Sequence, residues 1–269
     1  MSNGFQVREH AGPAYEELLV PRIFAPCADQ LLELAAVAAG ERVLDVACGT
    51  GIVARRAAAR VGDHGSVVGV DVNEVMLAVA AAATKAAAST EWRLGDAAAL
   101  PVADGSFDVV CCQQGLQYVA EPPLALVEAR RALVPGGRLA LAVWRALDHH
   151  PVFELLVHAL ERHAGVRTAD LMRRPFSGPG RETLRRLLHD AGFTRPRAGT
   201  GVIAARFPSP LEFLRIQVAA SPLAEPVGAL AEDRRVALEA EVEDVLQPFV
   251  DDEGLVVLLQ TWLIRASRA

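Results

Sequence analysis

A chain of 269 residues with 52% hydrophobic content is long enough to bury one sizeable core, although much of that content is alanine. A net charge of −6, with no block of Lys or Arg to track phosphates, excludes a nucleic acid as the main partner. No run approaches the roughly 18 consecutive apolar residues of a membrane span, and Met1–His10 lacks the apolar centre of a signal peptide, so the expected location is the cytoplasm.

In chain order, a helix over Cys27–Ala39 leads to a first strand at Arg42–Val46. Helix Gly51–Arg60, strand Ser66–Asp71, helix Glu74–Ala88 and strand Glu91–Leu94 follow. After a loop come strand Phe107–Cys112, helix Pro122–Leu133, a Val-Pro-Gly-Gly turn and strand Arg138–Trp144. This alternation predicts an α/β fold with a doubly wound, mostly parallel sheet. The strands read as near-continuous apolar runs, as they must when both faces are covered. After Trp144 the rhythm changes to helices at Pro151–His163 and Arg181–Ala191, the latter stopped by Gly192. Strand Gly201–Phe207 precedes a helix with Ser209 as N-cap, Pro210 in the first turn and Glu212 closing a capping box. Helix Glu232–Leu246 and a final strand, Leu255–Ala266, complete the chain.

Cys27, Cys48, Cys111 and Cys112 have no metal-like spacing and read as small buried thiols, so no metal is expected. The informative stretch is Val43–Ala58, where an acid and a glycine-rich turn join a strand to a helix. Gly49-x-Gly51-x-x-Ala54, with Asp71 twenty residues beyond Gly51 at a strand end, is compatible with any adenosine ligand, a nicotinamide dinucleotide included. A triphosphate is excluded, because no Gly-Lys-Ser/Thr follows. Asp45 beside the loop suits a cationic group better than a pyrophosphate, which it would repel. Asp96, in a loop after the third strand, is placed to accept a hydrogen bond from an exocyclic amine.

"VLDVACGTG", "VVGVDVN", "GDAAALPVADGSFDVV" and "LVPGGRL" together resemble the ordered motifs of class I S-adenosylmethionine-dependent methyltransferases. Within them the chain is similar to the quinone-biosynthesis and natural-product small-molecule branch. The match is strong over Arg42–Trp144 and weaker beyond. The resemblance implies a Rossmann-like sheet of seven strands with an antiparallel last strand and helical lid insertions. It implies S-adenosylmethionine as cofactor and S-adenosylhomocysteine as product. Asp45, Ala47, Gly49 and Gly51 would hold the methionine moiety, with Gln113 lining its end. Asp71 would take the ribose hydroxyls, with Val72 beside it. Met76 would pack on the adenine, and Asp96 and Ala97 would meet its amine. Ala47 replaces the first motif glycine, and its methyl group limits positive φ there.

A sulfonium methyl is already activated, so positioning dominates, and a base is needed only where the acceptor must lose a proton. His149 and His150, directly after the fifth strand, are the candidate bases. Tyr15, Phe24, Gln114, Tyr118 and Trp144 are the candidate acceptor-lining residues. Ligands of such sheets bind outside the carboxyl ends of the strands, so Tyr15, Phe24, Trp144 and His149 are expected around one cavity facing the cofactor methyl. The expected layout is a single domain. An N-terminal helical cover spans 1–40, the cofactor core 41–144, lid insertions 145–180 and 208–252, and the final strand 253–269. The partner is a small, apolar acceptor, in secondary metabolism by the resemblance, and a homodimer stays open. Two rivals remain. One is an NAD(P)-dependent oxidoreductase, which would lack any evident Tyr-x-x-x-Lys pair. The other is a methyltransferase-fold protein that keeps the cofactor as a scaffold for other chemistry.

Overall fold

The computed structural model describes residues 11–84 and 90–269. Strands β1 (Arg42–Val46), β2 (Ser66–Asp71), β3 (Thr90–Leu94), β4 (Phe107–Gln113) and β5 (Leu133–Trp144) pair in parallel in the order β3-β2-β1-β4-β5. Beyond β5 lie β6 (Phe193–Phe207), at the free edge, the two-residue β7 (Val250–Asp251), and β8 (Gly254–Arg268). β8 sits between β5 and β6 and runs antiparallel to both. The sheet is therefore mostly parallel with an antiparallel last strand, and the short β7 hairpin on β8 makes an eighth strand.

Alternation along the strands divides the core in two. Val43, Val67, Val109, Cys111 and Ala140 face one side, against α1 (Ala25–Ala35) and α2 (Ile52–Val61). Their neighbours Leu44, Val68, Val110, Leu139 and Leu141 face the other, against the helix Pro122–Ala132. Every residue of both sets is buried, which explains why the strands carry apolar residues at successive positions. α3 (Glu74–Ala83) is capped at its start by Asn73, whose side chain accepts from the Val75 and Met76 amides. Following it are α4 (Pro122–Ala132), α5 (Pro151–Ala164), α6 (Val166–Arg173), α7 (Arg181–Asp190), α8 (Pro210–Ala219) and α9 (Glu232–Leu246). α7 joins α4 on the second face. Buried residues of α5, α6, α8 and α9 extend the first core cluster beyond the sheet. Ser209 caps α8 through the Glu212 amide at 3.1 Å.

Several boundaries differ from expectation. α1 stops at Ala35, where Ala36 takes a left-handed conformation (φ 52°) that is ordinarily left to glycine. α3 ends at Ala83, and the Lys85–Ala88 part of the expected helix lies outside the described residues. β6 begins at Phe193 rather than Gly201. Ahead of α1, Ala11–Ala14 and a π-wound segment, Tyr15–Phe24, run on without a break. Its wider turn accommodates Pro21, whose ring would clash with the carbonyl four residues earlier in an α-helix. Among the described residues no helix is long and apolar enough to cross a membrane.

Candidate active site

The chain must turn from β1 into α2 within the five residues after Val46, and positive φ angles make this turn. Ala47 lies at φ 56°, Gly49 at 55° and Gly51 at 83°. A left-handed alanine is costly, and Gly115 gives its methyl room. A Cβ on Gly115 would stand 2.5 Å from that of Ala47. At Gly51 a Cβ would collide with the ring of Trp92, which also lies across Gly69, its register partner on β2. Behind the loop, Arg55 of α2 pairs with Glu16 of the π-wound segment at 2.5 Å, so the N-terminal cover is tied to the glycine turn.

Carboxylates cluster at the strand ends. Asp71, last in β2, accepts from the Gly49 amide at 2.7 Å and the Asn73 amide at 2.9 Å. Burial raises its pKa above the ordinary carboxylate value, and those amides partly offset the shift. Asp45 is 1% exposed. Its Oδ2 accepts from the Ala54 amide at 3.0 Å, and its Oδ1 has no partner among the described residues. Burial pushes its pKa up to about 8. Gln113, at the end of β4, donates to the Phe24 carbonyl at 3.1 Å, while its buried Oε1 has no partner either. Two buried acceptor atoms without donors thus flank one site. Buried acceptors ordinarily have a donor, and a ligand ammonium would satisfy both.

Asp45, Asp71 and Gln113 line one cavity of about 260 Å³. Ala47, Gly49, Val72, Met76, Asp96, Ala97 and Gln113 belong to its wall; Gly51 supports the turn from behind without lining it. Met76 is buried and lies against Gly49. Exposed Asp96 accepts from the Ala98 amide at 2.8 Å, which fixes its loop. The acid-lined end offers acceptors for an ammonium, a diol and an amine beside an apolar shelf, the groups S-adenosylmethionine carries.

The other end is apolar and aromatic. Tyr15 and Phe24 rings lie 4.8 Å apart, and Phe24 and Trp144 6.4 Å apart. All three line the cavity, with Phe153, Met172 and Phe176 from the 145–180 segment and Gln217 and Ser221 from the 208–252 segment. Gln114 and Tyr118 also line it. Gln114 holds φ 51° and spends its amide on Thr261 Oγ1 at 3.0 Å and Cys27 Sγ at 3.6 Å, so it braces the wall. Burial raises the Tyr15 and Tyr118 phenols well above their usual value and keeps them protonated. It likewise pushes the Cys27 and Cys112 thiols up to about 12, which leaves no reactive thiolate at either.

The two histidines depart from expectation, since neither lines the cavity. His149 lies beyond the wall, with Nε2 2.6 Å from an Arg145 nitrogen. His150 is fully buried, and burial lowers its pKa, so the ring is neutral. Its Nδ1–H donates to the Ala146 carbonyl at 3.1 Å, and its Nε2 accepts from the Gln260 amide at 3.0 Å. Both nitrogens are committed to main chain. The ring packs 4.5 Å from Phe176 and 6.2 Å from Trp144, so His150 backs the cavity wall instead of entering it.

Sequence reasoning overlooked Trp92, Phe153, Phe176 and Gln217. Trp92 carried a signal in its register opposite Gly69. The other three stand on helices whose packing no local pattern reports.

A methyltransferase-domain family model matches residues 44–141. Over 117 residues the chain is 42% identical to a 2-phytyl-1,4-naphthoquinone methyltransferase of Synechocystis, covering 42% of this chain and 47% of that protein. Over 183 residues it is 34% identical to a demethylmenaquinone methyltransferase of Staphylococcus aureus, covering 62% of this chain and 74% of that protein. The chain spans under half the length of two of the curated relatives it matches, 44% and 47%. A solved phosphoethanolamine N-methyltransferase 2 of Haemonchus contortus, in complex with S-adenosylmethionine, shares the fold. Its TM-score is 0.61 at 19% identity, over 97% of this chain and 58% of that one.

Proposed function

The chain belongs to the class I S-adenosylmethionine-dependent methyltransferase family, and from that premise we propose that it transfers a methyl group to a small, apolar, ring-bearing acceptor. Buried, donorless Asp45 Oδ1 and Gln113 Oε1, at one end of a cavity whose other end is aromatic, carry this reading. Asp45 and Gln113 hold the ammonium of the cofactor. Asp71 keeps lone pairs free for the ribose hydroxyls, Met76 and Val72 flank the adenine, and Asp96 with Ala97 meets its amine. The bound cofactor supplies an electrophilic methyl on a positive sulfur.

The remaining residues bind and enclose the acceptor. Tyr15, Phe24 and Trp144 form its platform, and segments 145–180 and 208–252 act as the lid that keeps water out. The names of the two quinone-methylating relatives support a quinol-like ring as acceptor. At the aromatic end the polar side chains are Tyr15, Tyr118, Gln114, Gln217 and Ser221, and none is a base near neutral pH. The acceptor therefore supplies its own ionisation, and alignment supplies the rate. The test is to incubate the protein with labelled S-adenosylmethionine and a panel of phenols and quinols, reading S-adenosylhomocysteine release and product mass. Release should require an acceptor, and its pH dependence should follow each acceptor's own pKa. No release with any member of the panel would overturn the reading. Equal rates from a nicotinamide cofactor would favour an oxidoreductase.

A further inference from the structure

The lid contributes to the cavity wall a buried polar group that has no partner among the described residues. Gln217, on α8, is 4% exposed and lines the cavity among Phe153, Met172 and Phe176. Its Nε2 is buried and has no hydrogen-bond partner among the described residues. Ser221, one turn on, cannot serve it. The Ser221 hydroxyl donates to the Gln217 main-chain carbonyl at 2.5 Å and accepts from the Leu223 amide at 3.3 Å. That bond also closes the end of α8 and holds the Gln217 backbone in place. A buried amide hydrogen without an acceptor costs stability, and an aromatic wall offers no replacement for water.

We propose that Gln217 is a specificity-determining residue that donates a hydrogen bond from Nε2 to an oxygen carried on the acceptor's ring. Resting on the methyltransferase reading, this narrows the acceptor from any apolar ring to one with a carbonyl or phenolic oxygen on the side facing α8. A pocket built to donate a hydrogen bond rejects the analogue lacking the acceptor atom, because the amide is then left unpaired. A methyl-sized change in the same aromatic wall discriminates far less.

The test compares two ligands of one shape, 2,3-dimethyl-1,4-naphthoquinone and 2,3-dimethylnaphthalene. Their binding to the intact protein saturated with S-adenosylhomocysteine is measured by calorimetry. The quinone should bind about tenfold tighter than the hydrocarbon. In Gln217→Met, which keeps length and helix propensity, that ratio should fall to about one, with S-adenosylhomocysteine affinity unchanged. The melting temperature of Gln217→Met without ligand should equal or exceed the parent's, because an unpaired buried amide has been removed. A structural role would lower it and leave the ligand ratio alone. An unchanged ratio in a folded variant, or a parent that does not prefer the quinone, overturns the proposal. Binding and turnover are separate readouts, so discrimination without S-adenosylhomocysteine release would sink the methyl-transfer reading and leave Gln217's role standing.

Discussion

The two ends of the cavity are built in opposite ways. The acid-lined end comes from short windows of sequence at successive strand tips, residues 45–51, 71–76, 95–97 and 113. Its contacts are main-chain amides on carboxylates, such as Gly49 and Asn73 on Asp71. Around Trp144, Gln114 and Tyr118, the aromatic end is built mainly by segments far apart in the chain, carrying Tyr15 and Phe24, Phe153 to Phe176, and Gln217 to Ser221. Its contacts are ring on ring. Hydrogen bonds to fixed backbone demand particular residues at particular spacings, whereas an apolar wall asks only for volume. One end is therefore constrained by chemistry, and the other is free to change with the acceptor.

The largest expected effect breaks the acid-lined end. Asp45→Asn should weaken S-adenosylmethionine binding by roughly 10- to 100-fold, since in the proposed site the ligand ammonium draws the proton off Asp45 and pairs with the carboxylate, a charge asparagine cannot supply. The same change should stabilise the cofactor-free protein. Folded Asp45 holds its proton up to about pH 8, while the unfolded carboxyl loses it near about 3.9. Between those values the native state binds more protons, so Asp45 makes stability fall as pH rises. Asparagine does not titrate. The gap in melting temperature between variant and parent should widen from pH 5 to pH 8 and then level off, and a gap that shrinks with pH would contradict the burial argument.

Next, Asp71→Ala should cost about tenfold in cofactor affinity, with acceptor selectivity unaltered. Loss of acceptor selectivity would mean the two ends are not separable. Phe24→Ala should do the reverse, lowering kcat/KM for an aromatic acceptor by roughly tenfold through lost contact area. Its cofactor affinity should stay within about twofold, as calorimetry can check, although Gln113 touches the Phe24 carbonyl, because that atom is main chain. The smallest effect is expected of His149→Ala. Turnover within about twofold of the parent fits its place outside the wall, whereas a fall of about 10²–10⁴ would restore it as a base.

Legibility followed the same division. Strands β1 and β2 have the bounds read from the sequence, because their buried centres can hold little but apolar residues. The glycine turn and Asp71 were readable, since positive φ and an amide-binding carboxylate each favour few residue types. The first half of β6 was not readable. "TRPRAGT" has the composition of a loop, yet it pairs with β8 through a register shift between Thr194 and Arg197, with Arg195 at φ 52°. At a sheet edge Pro196 needs no N–H for a further neighbour. His149 and His150 misled because chain position placed them at the right strand end, while the His150 ring was turned by β8, more than a hundred residues away, and the His149 ring turned to Arg145. Ala36 ends α1 with no glycine to announce it.

That irregular half of β6 bears on how the protein behaves in concentrated solution. A free strand edge is a template on which another chain can add, the first step toward sheet-to-sheet aggregation. Along 194–197 this edge carries a bulge, a proline and the charges of Arg195 and Arg197, all exposed or nearly so. A strand arriving there would find a missing donor, a broken register and two positive charges. The segment that looked least like a strand is thus the one that blunts its end of the sheet edge.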